Sequence, residues 1–318
     1  MIQWKIDGAD RADVQGERSA FFCTGTYYGS MRDTGAYALF VQANELAGRG
    51  VRDASVEILI SIPPDMDKAR INSIRNHIKK AVKRLSAEGF SVKELQITGG
   101  VQRTLRAPAV RITAAGTSEL SLVVSESEIS GGGGNACRSE RECRDILLAG
   151  WIGIEGMLRI IGERERELRE RFAPAFIRQM KSYDSEVLGL RKIAAAQELG
   201  ISVIRQITEG GILAALWRLS EETGLGMDLD MKKFAVRQET IEVCEYFRLN
   251  PYQLTSGGSF LMLAEHGGAA AEALREKGIA AEVIGRLTDC NDKVIRNGED
   301  VRYVDRAGED ELMKVLQG

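Results

Sequence analysis

Histidine is nearly missing from this sequence. His77 and His266 are the only two in 318 residues, which leaves little from which to build a nitrogen-ligated metal centre. Cysteine is sparse and odd in number: Cys23, Cys137, Cys143, Cys244 and Cys290 are scattered, and only Cys137 and Cys143 lie close together. Their spacing is not that of a zinc knuckle, so free thiols in a reducing compartment are expected. A surplus of positive charge is lacking too. The 43 Lys and Arg against 46 Asp and Glu give a formal charge of -3, with a pI near 5.7. No polybasic run stands out, which argues against nucleic acid and a membrane surface as partners. Apolar runs such as ILISI are far too short to span a bilayer, and the opening MIQWKIDGAD lacks the basic-then-apolar order of a secretory leader. The chain reads as cytoplasmic.

What remains is ordinary globular material, 44% apolar and 28% charged, in a chain longer than one core usually serves. The run AFFCTG around Cys23 reads as a buried strand, and TGAYALFVQANELAGRG (34–50) as a helix closed by Gly48 and Gly50. SVEILISI (55–62) is β-rich and stops at Pro63 and Pro64. Ile71, Ile74, Ile78, Val82 and Leu85 then recur at helical spacing between Lys and Arg, an amphipathic helix ending at Gly89. His77 sits beside that stripe and reads more readily as a packing or surface residue than as a catalyst. VKELQIT, AVRITAAG and LSLVVS are three more strand-like runs. The order is β-α-β-α-β-β, with mixed strand pairing expected.

SGGGGNACRSERE (130–142) interrupts this pattern. Gly131–Gly134 suit a connection between domains and could also offer amides to a phosphate; without a strand before and a helix after, the connection is favoured. The expected division is a first domain over 1–129, a Gly-rich linker over 130–144 and a second domain over 145–318. In the second part MLRIIGERERELRERF reads as a helix whose Glu and Arg form a solvated face of i,i+4 pairs. SEVLGLRKIAAAQELG, RQETIEVCEYFRLN and GGAAAEALREKG read as helices, and SFLMLAEH and AAEVIGRLTD as strands. The stretch RQITEGGILAALWRLSEETGLG places two glycines directly before a helix. Either an anion approaches that N-terminus, or the glycines allow the helix to pack tightly while Ile212, Leu213, Leu216 and Leu219 form its buried stripe.

Several of these motifs, in this order, carry a family resemblance. DILLAGWIGIEGM, ITEGGILAALWRLSEETGLGMDLD, VRQETIEVCEYFRLNPYQLTSGGSFLML and VIGRLTD resemble the C-terminal domain of the AIR synthase-related superfamily, most of all its hydrogenase-maturation branch. The resemblance spans roughly 145–310 and is weaker before that. It implies an α/β (α+β) protein of two domains, with a ferredoxin-like N-terminal domain through whose sheets a homodimer forms and an α/β C-terminal domain. It also implies Mg-ATP chemistry that activates a small molecule or a peptide end.

The family's nucleotide-site motifs are altered here. Its Gly-x-Asp-Ala-Ala falls on Gly8-Ala9-Asp10-Arg11-Ala12, and its Thr-Thr-Asp on Cys23-Thr24-Gly25. Asn-Asp-Leu-Ala becomes Asn44-Glu45-Leu46-Ala47. A glycine-pair motif that carries acidic residues in relatives becomes Gly99-Gly100-Val101-Gln102-Arg103, and Asp-x-Thr becomes Gln206-Ile207-Thr208. The candidate nucleotide or phosphate positions implied by the resemblance are therefore Asp10, Asn44, Glu45, Gly99, Gly100, Arg103, Thr208, Glu209, Gly210 and Gly211, with Thr208 as a helix cap. Asp10 and Glu45 are the remaining metal candidates. Mg²⁺ draws its binding energy from anionic oxygens, so ATP without strong Mg²⁺ binding is the expectation. A diverged protein with a ligand-binding or assembly role follows. One alternative is an active ATP-dependent enzyme in which Arg103 offsets phosphate charge, and another is a structural dimer partner of an active homologue. The branch's reaction needs a C-terminal cysteine where this sequence ends MKVLQG, and selenophosphate chemistry needs a thiol or selenol in a mobile N-terminal segment, whereas Cys23 lies in an expected strand. Neither reaction is expected.

Overall fold

The computed structural model describes residues 10–13, 19–67, 69–118, 145–306 and 308–317. The glycine-rich stretch, the LSLVVS run, Cys137 and Cys143 lie outside the described residues. The chain divides into two compact units. One holds the described residues to 118 together with 158–190, and the other holds 145–157 with the remainder from 191.

In the first unit the elements run β1 (Asp10–Asp13), β2 (Ser19–Tyr28), α1 (Thr34–Gly48), β3 (Asp53–Ile62), α2 (Ala69–Ala87), β4 (Ser91–Val101) and β5 (Ala109–Ser118). They form one sheet in the order β1-β2-β5-β3-β4, parallel only between β3 and β4 and antiparallel elsewhere. The parallel pair follows from the α2 crossover, which a hairpin cannot replace. Strict alternation along β3 sends Ala54, Val56, Ile58, Ile60 and Ile62 to a buried face and Ser55, Glu57 and Leu59 to the other. Helices α1 and α2 cover the buried face. α1 is apolar almost all round and buries fourteen of its residues, so it is an internal helix, whereas α2 buries only Ile74, Ile78, Ala81 and Leu85. The two helices approach closely because position 35 is glycine: a Cβ there would stand 2.8 Å from Ile78 Cδ1.

Residues 158–190 contribute α3 (Ile154–Arg171), which begins in the second unit, α4 (Pro174–Lys181) and a 3-10 turn over Ser182–Val187. The charged α3 does not present a purely solvated face. Glu165 pairs with Arg169 at 2.7 Å in the expected i,i+4 manner. Glu163 instead turns inward and accepts from Ser30 Oγ at 2.5 Å and Met31 N at 2.6 Å, and the largely buried Arg159 donates to Tyr28 O at 3.0 Å. The sequence periodicity could not separate these two from their solvated neighbours.

The second unit contains β6 (Asp145–Ala149), the start of α3, α5 (Leu190–Glu198), β7 (Ile204–Gln206), α6 (Gly211–Thr223), β8 (Gly226–Asp230), α7 (Gln238–Phe247), β9 (Phe260–Ala264), α8 (Gly267–Glu276), β10 (Ala281–Thr288), β11 (Lys293–Asn297), β12 (Asp300–Tyr303) and α9 (Leu312–Gln317). Its sheet runs β12-β11-β8-β10-β6-β9-β7, with β8 and β11 parallel and the other pairs antiparallel. Ile212, Leu216 and Leu219 of α6 join Ile146, Leu148, Leu229, Leu261, Ile284 and their neighbours in one core, as the stripe predicts, while Leu213 is only partly buried. The segment expected as one helix over 185–200 is broken: a 3-10 turn precedes α5, and Gly189 N donates to a side chain rather than continuing a helical ladder.

Candidate functional site

The expected site residues fall in both units. In the first, Asp10 opens β1 opposite Phe22. Asn44 and Glu45 lie on the last turns of α1, where a 3.6-residue period points adjacent side chains in different directions. Asn44 is fully buried: its Nδ2 donates to Val187 O at 2.9 Å, and its Oδ1 accepts from Gly189 N at 2.9 Å. Both ends of the amide thus tie the helix to the 187–189 turn. Glu45 faces Arg49 one turn later at 3.4 Å. Its charge is felt by Cys23, whose thiol is pushed well above its ordinary range, first by burial and second by this carboxylate. Gly99 and Gly100 sit on the edge strand β4 opposite Ile60 and Ser61, and Arg103 occupies the exposed turn that follows.

In the second unit the paired glycines open α6. Gly210 takes a left-handed conformation, φ 79°, at the N-cap, and Gly211 follows at φ 67°. Thr208 does not cap the helix with its side chain, contrary to the sequence expectation: its carbonyl accepts from Gly211 N, and its hydroxyl lies 3.4 Å from Arg218 Nη2. The anion at this N-terminus is the chain's own. Gly210 N donates to Asp310 Oδ2 at 2.7 Å, while Leu312 N donates to the other oxygen at 2.9 Å, and Asp310 is only 4% exposed. A helix N-terminus favours a negative partner, and here a carboxylate one hundred residues along the chain supplies it. Gly211 is needed for close approach, since a Cβ would stand 2.4 Å from Tyr252 O and 2.8 Å from Leu254 N. The geometry at these two positions is that of tight packing. Glu209 is exposed in the turn before them.

The sequence did not single out the polar knot beside them. The loop Leu254–Ser259 folds over buried charge: Glu155, 1% exposed, accepts from Thr255 Oγ1 at 2.8 Å and Gly257 N at 3.0 Å. Lys192 Nζ donates to Gly258 O at 2.8 Å, and Gln206 Oε1 accepts from Gly258 N at 3.1 Å. Ser256 and Ser259 close the loop through Gly153 N and Trp151 O. The signal for it in the sequence is the TSGG run between Pro251 and the strand SFLMLAEH. A neutral amide at 206 can hold the Gly258 amide as a carboxylate could, but brings no charge for a cation.

Among the described residues no group of three or more His, Cys, Asp or Glu is arranged to hold a metal ion, and no helix is long and apolar enough to cross a membrane. The donor set fits Mg²⁺ poorly, because Glu45 already pairs with Arg49 and position 206 is an amide.

Residues 146–297 match the family model described as AIR synthase related protein, C-terminal domain. The likeness to that domain family is confined to this part of the chain. A putative hydrogenase expression/formation protein of Methanocaldococcus jannaschii is 24% identical over 269 residues, which cover 80% of this chain and 70% of that protein. A carbamoyl dehydratase HypE of Rhodobacter capsulatus is 32% identical over 98 residues, but the match covers only 30% of this chain and 28% of the relative. A crystal structure of the hydrogenase maturation protein HypE in complex with ATP superposes with a TM-score of 0.64 at 17% identity, covering 97% of this chain and 90% of that one. The two-domain AIR synthase-like fold implied by the motifs is therefore the fold of the chain.

Proposed function

We propose that this chain is an ATP-binding, hydrogenase-maturation-like protein with a weakened metal-dependent phosphoryl-transfer site and a ligand-binding or assembly role. The observation that carries the proposal is the use of Asn44, the unaltered first residue of the Asn-Asp-Leu-Ala motif: both ends of its amide are spent on the 187–189 backbone, and Glu45 beside it faces Arg49. The ATP complex of a structurally similar HypE supports nucleotide as the ligand. On this reading the nucleotide meets the first unit near Gly99, Gly100 and Arg103, while Asp10 lies on the opposite edge of the sheet. Gly100 has open space where a Cβ would stand, Gly99 has Arg75 Nη2 3.6 Å from that point, and Arg103 lies in the exposed turn beside them. The exposed sheet face, which carries Thr24, Thr26, Tyr28, Leu59 and Thr113, is the proposed homodimer surface.

A second reading, an active ATP-dependent enzyme, is favoured by Arg103 alone, since a guanidinium can carry phosphate charge without a metal. Equilibrium dialysis of ATP with wild type and Arg103→Ala, followed by turnover assays with Mg²⁺, tests both. The proposal expects ATP retention, about tenfold weaker binding in the variant through loss of one charge-assisted contact, and no turnover. Affinity unchanged by Arg103→Ala would remove the assignment of the nucleotide to this face, and metal-dependent turnover would establish the enzyme.

A further inference from the structure

The first unit contains an opening on the helical side of the sheet. It is a cleft of about 640 Å³ bordered by the start of α1, one face of α2 and the 158–184 helices. That volume lies in the range of small-molecule sites. Its lining holds five permanent cations against three carboxylates, a surplus of two positive charges with His77 neutral. The carboxylates are already engaged. Asp33 Oδ1 lies 2.5 Å from His77 Nδ1; Asp184 accepts from Arg84 and from Tyr37 Oη, each at 2.7 Å; Glu165 accepts from Lys181 and Arg169, each at 2.7 Å. Hydrogen bonds from Lys181 first and Arg169 second hold the Glu165 carboxyl below its ordinary range, so it stays ionised and bound to them.

Arg32, Arg70 and Lys80 are left without a carboxylate among the described residues. Arg70 Nε is buried with no hydrogen-bond partner, a donor that costs free energy unless something accepts from it. Arg70, His77, Lys80 and Arg84 follow one face of α2, and Arg70 and Lys80 stand about 15 Å apart along its axis. Both long side chains line the same cleft, so an anion with two linked charge centres can offer one to each charged head, where a single small anion offers one only. Phe40, Leu158 and Ile161 give the cleft an apolar floor.

We propose that this cleft binds a diphosphate-bearing small molecule, with Arg70, Lys80 and Arg32 as its phosphate contacts. Guanidinium forks match phosphate oxygens, and the three cations left without a carboxylate are opposite in sign to a diphosphate. The test is calorimetric titration of the full-length protein with inorganic pyrophosphate at fixed ionic strength. The expected result is saturable binding at one site per chain, weakened about tenfold or more by Arg70→Gln and by Lys80→Gln. Arg111→Gln, on the exposed opposite face of the sheet, serves as the charge control and leaves binding intact. The replaced side chains are exposed or half-exposed, so unfolding midpoints near wild type confirm that the variants fold. Absence of saturable binding to wild type overturns the site, as does an affinity in both cleft variants equal to that of wild type. Loss of binding in Arg103→Ala would move the pyrophosphate to the proposed nucleotide face and equally overturn it.

Discussion

The two units treat their charged groups in opposite ways. The second unit spends its family motifs on itself: the Asp310 carboxylate fills the α6 N-terminus, Glu155 and Lys192 are wrapped by the TSGG loop, and Asp145 accepts from Gly267 N at the start of α8. The first unit leaves cations unmatched along α2, an uncovered sheet face and an arginine in an exposed turn after a glycine pair. A motif readable in sequence is therefore no guide to an open site. In this chain the half that carries the family-model match is the more self-contained one, and ligand chemistry is sought in the other.

The largest effect that would break this comparison comes from Gly211→Ala. The added Cβ meets the backbone of Tyr252 and Leu254, and φ is positive, so a loss of about 3 kcal/mol or more in unfolding free energy is expected from overlap and backbone strain together. A loss under about 1 kcal/mol, the scale of an ordinary surface change, would show that the loop yields and that the glycine serves something other than packing. Next in size is Asn44→Ala, which leaves the Val187 carbonyl and the Gly189 amide without their partner in a buried place; about 2 kcal/mol is expected in a denaturant titration. If stability were unchanged while ATP affinity fell, Asn44 would belong to the ligand and not to the fold.

The element pattern was largely legible, because alternation in β3 and helical spacing in α2 each leave a single burial choice. The short strands β7, β8, β11 and β12 were not, since three to five residues carry too little periodicity. The glycine pair before α6 was visible, but its partner was not: Asp310 lies a hundred residues away, and no local pattern links it to Gly210. Glu163 and Arg159 hid in the same way within a charged run that otherwise behaves as a solvated helix face. Sequence spacing reports which side chains share a face; it cannot report which distant backbone amide needs an acceptor.

Asp310→Asn sharpens the comparison at smaller scale. It keeps the shape at the α6 N-terminus but removes the charge and turns an NH2 towards one of the two donating amides, so about 1.5 kcal/mol is expected, and raised salt should reproduce little of it because the carboxylate is buried. The smallest effect concerns Glu165. Its carboxyl is lowered by Lys181 and Arg169, so its folded form binds fewer protons than the unfolded chain through the acid range. The stability it adds is complete above the ordinary carboxylate range and disappears as pH falls through the lowered value. The difference in unfolding midpoint between wild type and Glu165→Gln should shrink from about pH 6 to about pH 3. A difference independent of pH would remove the charge argument at that end of the cleft.

The central claim is that this chain binds ATP without needing Mg²⁺. Thermal unfolding with saturating ATP, in Mg²⁺ and in a chelator, tests it most directly, because a ligand of the native state at about a hundred times its dissociation constant adds roughly 2.7 kcal/mol. The account predicts the same upward shift under both conditions. A shift that appears only with Mg²⁺, or none with either, would contradict it.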